Sequence, residues 1–251
     1  MFVVRLKLNL WGYALDLELE KVGMQHLAII PDGNRRWATQ NKLKTILGHQ
    51  MGGKAVKAAI SVCLKNKIKF LSIYIFSLEN FNRSDLEKKY LFKMIPDQIN
   101  ENRTNLLQNH IRVNFIGDKS MFPSATLSVI NSIEEETKNF DTLILNFLFC
   151  YGGRQEIMAA VKDLSQDVVN GVISVDKINE SVLRDYLWSS FLPDPDLIIR
   201  TSGISRLSNF FTFQAAYSEL MFLNRFWPDV NEECLQKCID DYTAISRNFG
   251  K

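Results

Sequence analysis

The sequence predicts an α/β protein: a single domain in which a central, mostly parallel β-sheet of about six strands is surrounded by helices. Two observations lead there. Short apolar runs of β-type residues alternate with longer stretches of helical periodicity, the pattern of parallel strands joined by crossover helices. The runs read as buried strands, as expected when helices cover both faces of a sheet. The length of 251 residues allows one large domain or two small ones, and residues 26–251 contain no low-complexity linker or repeat that would divide them.

In chain order, strands are expected at His26–Ile30, Phe70–Phe76, Ile111–Ile116, Leu143–Phe149 and Leu197–Ile199, with a short one near Leu220–Leu223. Helical periodicity marks Gly52–Lys65, Ser84–Gln108, Ala125–Asn139 and Arg154–Val169 between them, then Ile178–Trp188 and Asn231–Phe249. Residues 1–23 stand apart. Met1–Leu10 alternates apolar and basic residues, and Trp11 and Tyr13 precede an acidic patch. Arg5 and Lys7 interrupt any signal-peptide core. Two readings are open for this N-terminal extension: an amphipathic membrane-surface segment, or a disordered stretch with Met24 as an alternative start. The domain proper is then 24–251.

Composition removes several classes. Apolar residues make up 46%, charged residues 23%, and the formal net charge is +2. Such a chain is not disordered. It also lacks the positive excess of a general nucleic-acid binder, so no nucleic-acid partner is expected. No stretch approaches the roughly 20 apolar residues that span a bilayer. Of the four cysteines, only Cys234 and Cys238 are close, and His26, His49 and His110 are dispersed. That spacing reads as buried free thiols in a reducing compartment, hence the cytoplasm, rather than as a zinc site.

Ligands of parallel sheets bind beyond the carboxyl ends of the strands. Those ends carry Pro31-Asp32-Gly33-Asn34-Arg35-Arg36-Trp37, Ser77-Leu78-Glu79-Asn80-Phe81-Asn82-Arg83, Cys150-Tyr151-Gly152-Gly153-Arg154 and Arg200-Thr201-Ser202-Gly203-Ile204-Ser205-Arg206-Leu207-Ser208-Asn209. A nearly neutral chain thus gathers arginines at one rim. Arginine grips phosphate oxygens bidentately, and glycine lets backbone N–H groups approach an anion. Any single arginine would pass as solvated surface; four such loops together point to a phosphate or diphosphate site. Asp32 among those cations suits a Mg2+ ligand, although Asp-Gly is also a common turn pair. Gly48…Gly52-Gly53-Lys54 has P-loop spacing but ends in Ala55 without the Ser/Thr that ligates Mg2+, and no strand directly precedes it. No G-x-G-x-x-G is present, which removes the dinucleotide-binding fold.

The same loops resemble the cis-prenyltransferases, the undecaprenyl diphosphate synthase-like family. The likeness is carried in order by His26-Leu-Ala-Ile-Ile-Pro-Asp-Gly-Asn-Arg-Arg-Trp-Ala38, Gly48-His49, Phe76–Arg83, Tyr151-Gly-Gly-Arg154, Asp196–Gly203, Arg206–Phe210 and Gln214–Glu219. It covers about His26 to Gly250. The resemblance implies a homodimer that uses Mg2+ to condense isopentenyl diphosphate with an allylic diphosphate, and a hydrophobic product tunnel. It implies roles residue by residue. Asp32 would ligate Mg2+ and assist departure of the allylic diphosphate. Gly33, Asn34, Arg35 and Arg36 would cradle that diphosphate, with Trp37 and His49 nearby. Asn80, in the Ser77–Arg83 loop with Leu78, Glu79 and Phe81, would help remove the isopentenyl proton, with Arg83 beside the reacting groups. Arg200, Arg206 and Ser208, with Leu207 between them, would bind isopentenyl diphosphate. Glu219 would complete the metal site from across the dimer interface. Release of an amphipathic product suggests peripheral membrane contact.

Departures from the bacterial pattern are Thr45 for an Arg, Phe81 for a Trp, Ser84 for a Pro, Cys150 for an Asn and Ile204 for a Glu; Arg35 and Pro31 look like archaeal and eukaryotic members. Thr45 and Ile204 leave room for a short, branched or cyclic terpenoid product. The intact Asp-Gly-Asn-Arg loop argues against a non-catalytic partner subunit. Asp240-Asp241 lacks the later Asp of the all-helical trans synthases. Leu143 corresponds to a tunnel-floor residue, and Ile75 would narrow the tunnel. Among the 17 phenylalanines, Phe76, Phe92, Phe147 and Phe149 are the candidates to line it.

Overall fold

The computed structural model describes residues 3–10, 13–20 and 23–245. Val3–Leu10 (β1) and Tyr13–Glu20 (β2) pair as an antiparallel hairpin, with Leu10 opposite Tyr13 and Val3 opposite Glu20. Trp11 lies outside the described residues. The main sheet has six strands: His26–Ile30 (β3), Phe70–Ser77 (β4), Ile111–Ile116 (β5), Leu143–Tyr151 (β6), Leu197–Arg200 (β7) and Glu219–Phe222 (β8). Their order is β5-β6-β4-β3-β7-β8, and every pairing is parallel. Seven α-helices accompany them among the described residues: Asn34–Gln40 (α1), Thr45–Lys65 (α2), Asp85–Gln108 (α3), Ser124–Thr137 (α4), Gly153–Val169 (α5), Glu180–Asp185 (α6) and Glu232–Ala244 (α7).

The central strands are apolar because both faces are covered. All five residues of β3 and all four of β7 are buried. One apolar layer joins the sheet to α2, α3, α4 and α7; the other gathers Ala28, Ile30, Tyr74, Tyr151, Phe210 and Phe211. A polar row crosses the sheet within this core. Asn114 Nδ2 donates to Asn146 Oδ1 (2.9 Å), Asn146 Nδ2 to Ser72 Oγ (3.3 Å), and Ser72 Oγ lies 2.8 Å from His26 Nε2. His26 Nδ1 faces the Pro193 carbonyl at 2.7 Å. His26 is therefore a satisfied structural residue, and burial pushes its pKa down to about 4.

The strand expectations hold to within two residues. The helices differ more. α2 starts at Thr45, seven residues before the expected Gly52, so His49 and the P-loop-like spacing lie inside a helix. The glycines do not break α2 because its neighbours require them: a Cβ at Gly48 would stand 2.2 Å from the Asn34 carbonyl oxygen. The residues after β3 are not all loop, since Asn34–Gln40 forms α1, and Leu78–Asn82 forms a 3-10 turn. The expected helix Ile178–Trp188 contracts to α6. The last expected helix is found as α7; its end past residue 245 lies outside the described residues.

Candidate active site

Strand order reverses direction between β3 and β7: β4 follows β3 on one side, and β8 follows β7 on the other. This switch point is where parallel sheets open a crevice. The loop after β3 and the end of β7 meet there. Arg200 Nη2 donates to Asp32 Oδ2 (2.8 Å) and Arg36 Nη2 to Asp32 Oδ1 (3.1 Å). Thr201 Oγ1 ties the two strands through the Asp32 backbone, accepting from its N–H (2.8 Å) and donating to its carbonyl (2.6 Å). Burial would raise the Asp32 pKa, but Arg200 and Arg36 outweigh it and hold the carboxyl below its usual range. Gly33 makes the turn at φ +107°, where a Cβ would stand 2.6 Å from the Phe226 ring.

A cavity of about 610 Å³ begins at this crevice and continues between α2, α3 and the sheet. Of the candidate residues, Asp32, Asn34, His49, Ser77, Asn80, Arg83, Arg200 and Ser208 line it. Two buried atoms of these residues have no partner: Asn34 Oδ1, an acceptor, and Arg200 Nε, a donor. Buried polar atoms are nearly always paired, so such orphans point to a missing ligand. Further in, Val56, Ile60, Leu91, Ile95, Leu145 and Phe147 form an apolar wall.

The remaining candidates stand outside the lining. Arg35 and Arg36 are exposed on α1, and Arg36 Nη2 also donates to Ser202 Oγ (2.5 Å). Trp37 Nε1 donates to Asp229 (2.7 Å), which moors α1 to the segment after β8. Leu78 packs on the core, and Phe81 meets Phe76 edge-on at 5.1 Å. Glu79 accepts from Asn209 (2.9 Å). Arg206 gives its carbonyl, not its side chain, to Arg200, and Leu207 packs against the second apolar layer. Ser208 Oγ accepts from Arg200 Nη1 at 2.7 Å. Glu219 opens β8 opposite Leu197, at the amino ends of the strands, so one chain does not bring it to Asp32.

Three of the four phenylalanine assignments need correction. Phe147 lines the cavity, whereas Phe76, Phe92 and Phe149 pack on one another with centroids 5.1–5.6 Å apart and are core. A register shift in the β4–β6 pairing between Tyr74 and Phe76 accompanies the change of face. Leu143 is fully buried and outside the lining; Ile75 is part of it.

Glu87 was not among the sequence candidates. Its carboxylate accepts from Arg83 Nη1 (3.0 Å), faces His49 Nε2 at 3.4 Å and lies 4.0 Å from Arg35. Burial and Arg83 lower the His49 pKa more than Glu87 raises it. The available signal was Ser84-x-x-Glu87, a capping-box pattern. Ser84 does cap α3, accepting from the Glu87 N–H, yet the Glu87 side chain turns to the arginines. Left-handed backbone at Ser202, Ser208, Asn209 and Phe211 is a second feature that sequence did not show; strained residues cluster at functional loops.

The undecaprenyl diphosphate synthase family model matches residues 30–250. An isoprenyl transferase of Clostridium perfringens is 43% identical over 226 residues, covering 90% of this chain and 89% of that protein. A farnesyl-diphosphate-specific ditrans,polycis-undecaprenyl-diphosphate synthase of Micrococcus luteus is 41% identical, covering 90% and 91%. Among solved structures, lavandulyl diphosphate synthase from Lavandula x intermedia in complex with dimethylallyl diphosphate aligns with a TM-score of 0.89 at 32% identity, covering 92% of this chain and all of that one.

Proposed function

The chain belongs to the undecaprenyl diphosphate synthase family and is a prenyl transferase, and we propose that it carries out Mg2+-dependent cis-prenyl chain elongation. It joins isopentenyl diphosphate to an allylic diphosphate such as farnesyl diphosphate, giving a Z-polyprenyl diphosphate such as undecaprenyl diphosphate. The observation that carries this reading is one cavity with Asp32, Arg83 and Arg200 at its mouth and an apolar wall of Val56, Ile60, Leu91, Ile95, Leu145 and Phe147 further in. That is the shape of a diphosphate head with a hydrocarbon tail.

In the reaction the allylic C–O bond breaks and diphosphate leaves with the electron pair. The isopentenyl double bond attacks the allylic carbon, and the resulting cation loses a proton to the released diphosphate, which restores a double bond. Arg36, Arg83 and the backbone after Gly33 would hold the allylic diphosphate; Arg200, with its unpartnered Nε, and Ser208 would hold isopentenyl diphosphate. Asn80 lines the same cavity and would help guide the departing proton. Asp32 is the one acidic residue of the lining, a hard oxygen donor among phosphate-binding groups, and suits Mg2+. Held by Asp32, Mg2+ would supply positive charge for the diphosphate oxygens. Glu219 would join that site only from a second copy, in line with a homodimer. Among the described residues no helix is long and apolar enough to cross a membrane; we place the enzyme in the cytoplasm, touching membrane peripherally to release product. Residues 24–251 are the proposed catalytic domain.

A second reading, a same-fold synthase of a short, branched or cyclic terpenoid diphosphate, draws on the likeness to lavandulyl diphosphate synthase. Incubating the purified chain with isopentenyl diphosphate, farnesyl diphosphate and Mg2+, then weighing the products, separates the two. A ladder spaced by isoprene units is expected, and EDTA should abolish it. A single short product supports the second reading; no prenyl product overturns both.

A further inference from the structure

The two faces of the edge strand β5 line different cavities. Val113 lines the one described above, between α2, α3 and the sheet. Arg112 and Asn114 alternate with it along the strand and so face the opposite side, where they line a second cavity of about 560 Å³. No candidate active-site residue lines this second cavity. Arg112 enters it already oriented. Its Nε donates to Asn114 Oδ1 (3.3 Å), and Asn114 Nδ2 donates to Asn146 (2.9 Å), the start of the buried row that ends at His26. The terminal guanidinium nitrogens have no partner among the described residues. Lys119 pairs with Glu134 and Lys138 with Glu135, so among the described residues Arg112 is the one cation of the lining without a carboxylate. The other wall is aromatic: Trp188 is half-buried and edge-on to Tyr151 at 6.2 Å, and Phe191 is 47% exposed. The edge does not invite a further strand. Val113 N–H donates to Thr137 Oγ1 (3.0 Å) and Phe115 N–H to Glu134 Oε1 (2.7 Å), so α4 has already taken these backbone donors.

We propose that this second cavity is a binding site for an anion carrying a flat aromatic ring, the chemistry of a nucleoside monophosphate. The free fork of Arg112 matches two phosphate oxygens, and the Asn114 contact holds it in place before the ligand arrives. Trp188 and Phe191 offer ring faces and edges for stacking. The volume is that of a small-molecule site. Because both lysines are already neutralised, the site attracts through one directed guanidinium rather than through diffuse positive charge. That favours a singly phosphorylated ligand over the diphosphates of the first cavity. The proposal is independent of the elongation reading.

The test is isothermal titration calorimetry of the full-length chain with AMP, adenosine and inorganic phosphate. AMP should bind saturably, about tenfold or more tightly than adenosine or phosphate, since each of these lacks one half of the recognised chemistry. Arg112→Gln should weaken AMP binding about tenfold or more by removing the fork. Phe191→Ala, an exposed side chain chosen to preserve folding, should weaken it severalfold. No saturable AMP binding overturns the proposal. So does AMP binding that either variant leaves unchanged, which would seat the nucleotide elsewhere, or binding of adenosine or phosphate as tight as that of AMP.

Discussion

The rim of the sheet and its interior treat polar groups in opposite ways. At the rim, Asp32 is held between two arginines, Asn34 Oδ1 and Arg200 Nε have no partner, and Ser202 and Ser208 adopt left-handed backbone. In the interior, Asn114, Asn146, Ser72 and His26 form a connected row across four strands. Both sets lie in the same sheet system. The interior is complete without a ligand; the rim is not. Incomplete pairing within a cavity lining therefore marks the candidate active site, since the third buried unpartnered atom, Gln214 Oε1, belongs to the Glu156–Ser189 cluster outside that lining.

The sharpest way to break this contrast is Asp32→Ala. If the rim exists for chemistry, turnover should fall by about 10³-fold or more, while the melting temperature moves by a few degrees at most. Product formation and thermal unfolding, measured on one preparation, check both halves. Near-parental turnover would remove Asp32 from the reaction.

The interior should behave the other way, through stability and pH. His26 stays neutral in the fold until about pH 4, against 6.5 for a free imidazole. Below pH 6.5 the unfolded chain takes up a proton that the native chain refuses. The stability contribution is thus complete above 6.5 and is lost as pH falls toward 4, by about 3 kcal/mol in all. Urea unfolding at pH 7 and pH 5 should show the loss, and His26→Gln should reduce it. An undiminished slope in the variant would assign the acid sensitivity elsewhere.

α2 serves both regions, and Gly48→Ala tests the coupling. The added methyl would meet the Asn34 carbonyl oxygen at 2.2 Å, a backbone atom with little freedom to yield. A destabilisation of about 1–3 kcal/mol is expected, together with weaker diphosphate binding, because Asn34 opens α1. Binding unchanged despite lost stability would show that α1 tolerates the shift.

The two regions also differed in how far sequence revealed them. β3 and β7 were legible because strands buried on both faces must be apolar, and the rim loops were legible because their residues are contiguous. α1 was hidden because its seven residues bury only Ala38, which leaves no periodicity to read. The start of α2 was hidden because glycines that permit close packing resemble glycines that break helices. Phe76 and Phe149 were misassigned because a residue's type does not say which side of a β-bulge it faces.

Glu87 offers the finest test, since it joins α3 to the rim without lining the cavity. It holds Arg83 at 3.0 Å and faces His49 at 3.4 Å. Glu87→Gln keeps the shape and removes the charge. Arg83 then loses its anionic anchor, and His49 loses the one neighbour that raises its pKa. If Glu87 positions Arg83 for the reaction, kcat should drop about tenfold, equivalent to about 1.4 kcal/mol, with KM for isopentenyl diphosphate little changed, because Arg200 and Ser208 are untouched. A larger rise in KM than fall in kcat would instead make Glu87 part of substrate binding. No change in either would leave the cluster as a helix-end contact, placing Glu87 with the interior rather than the rim.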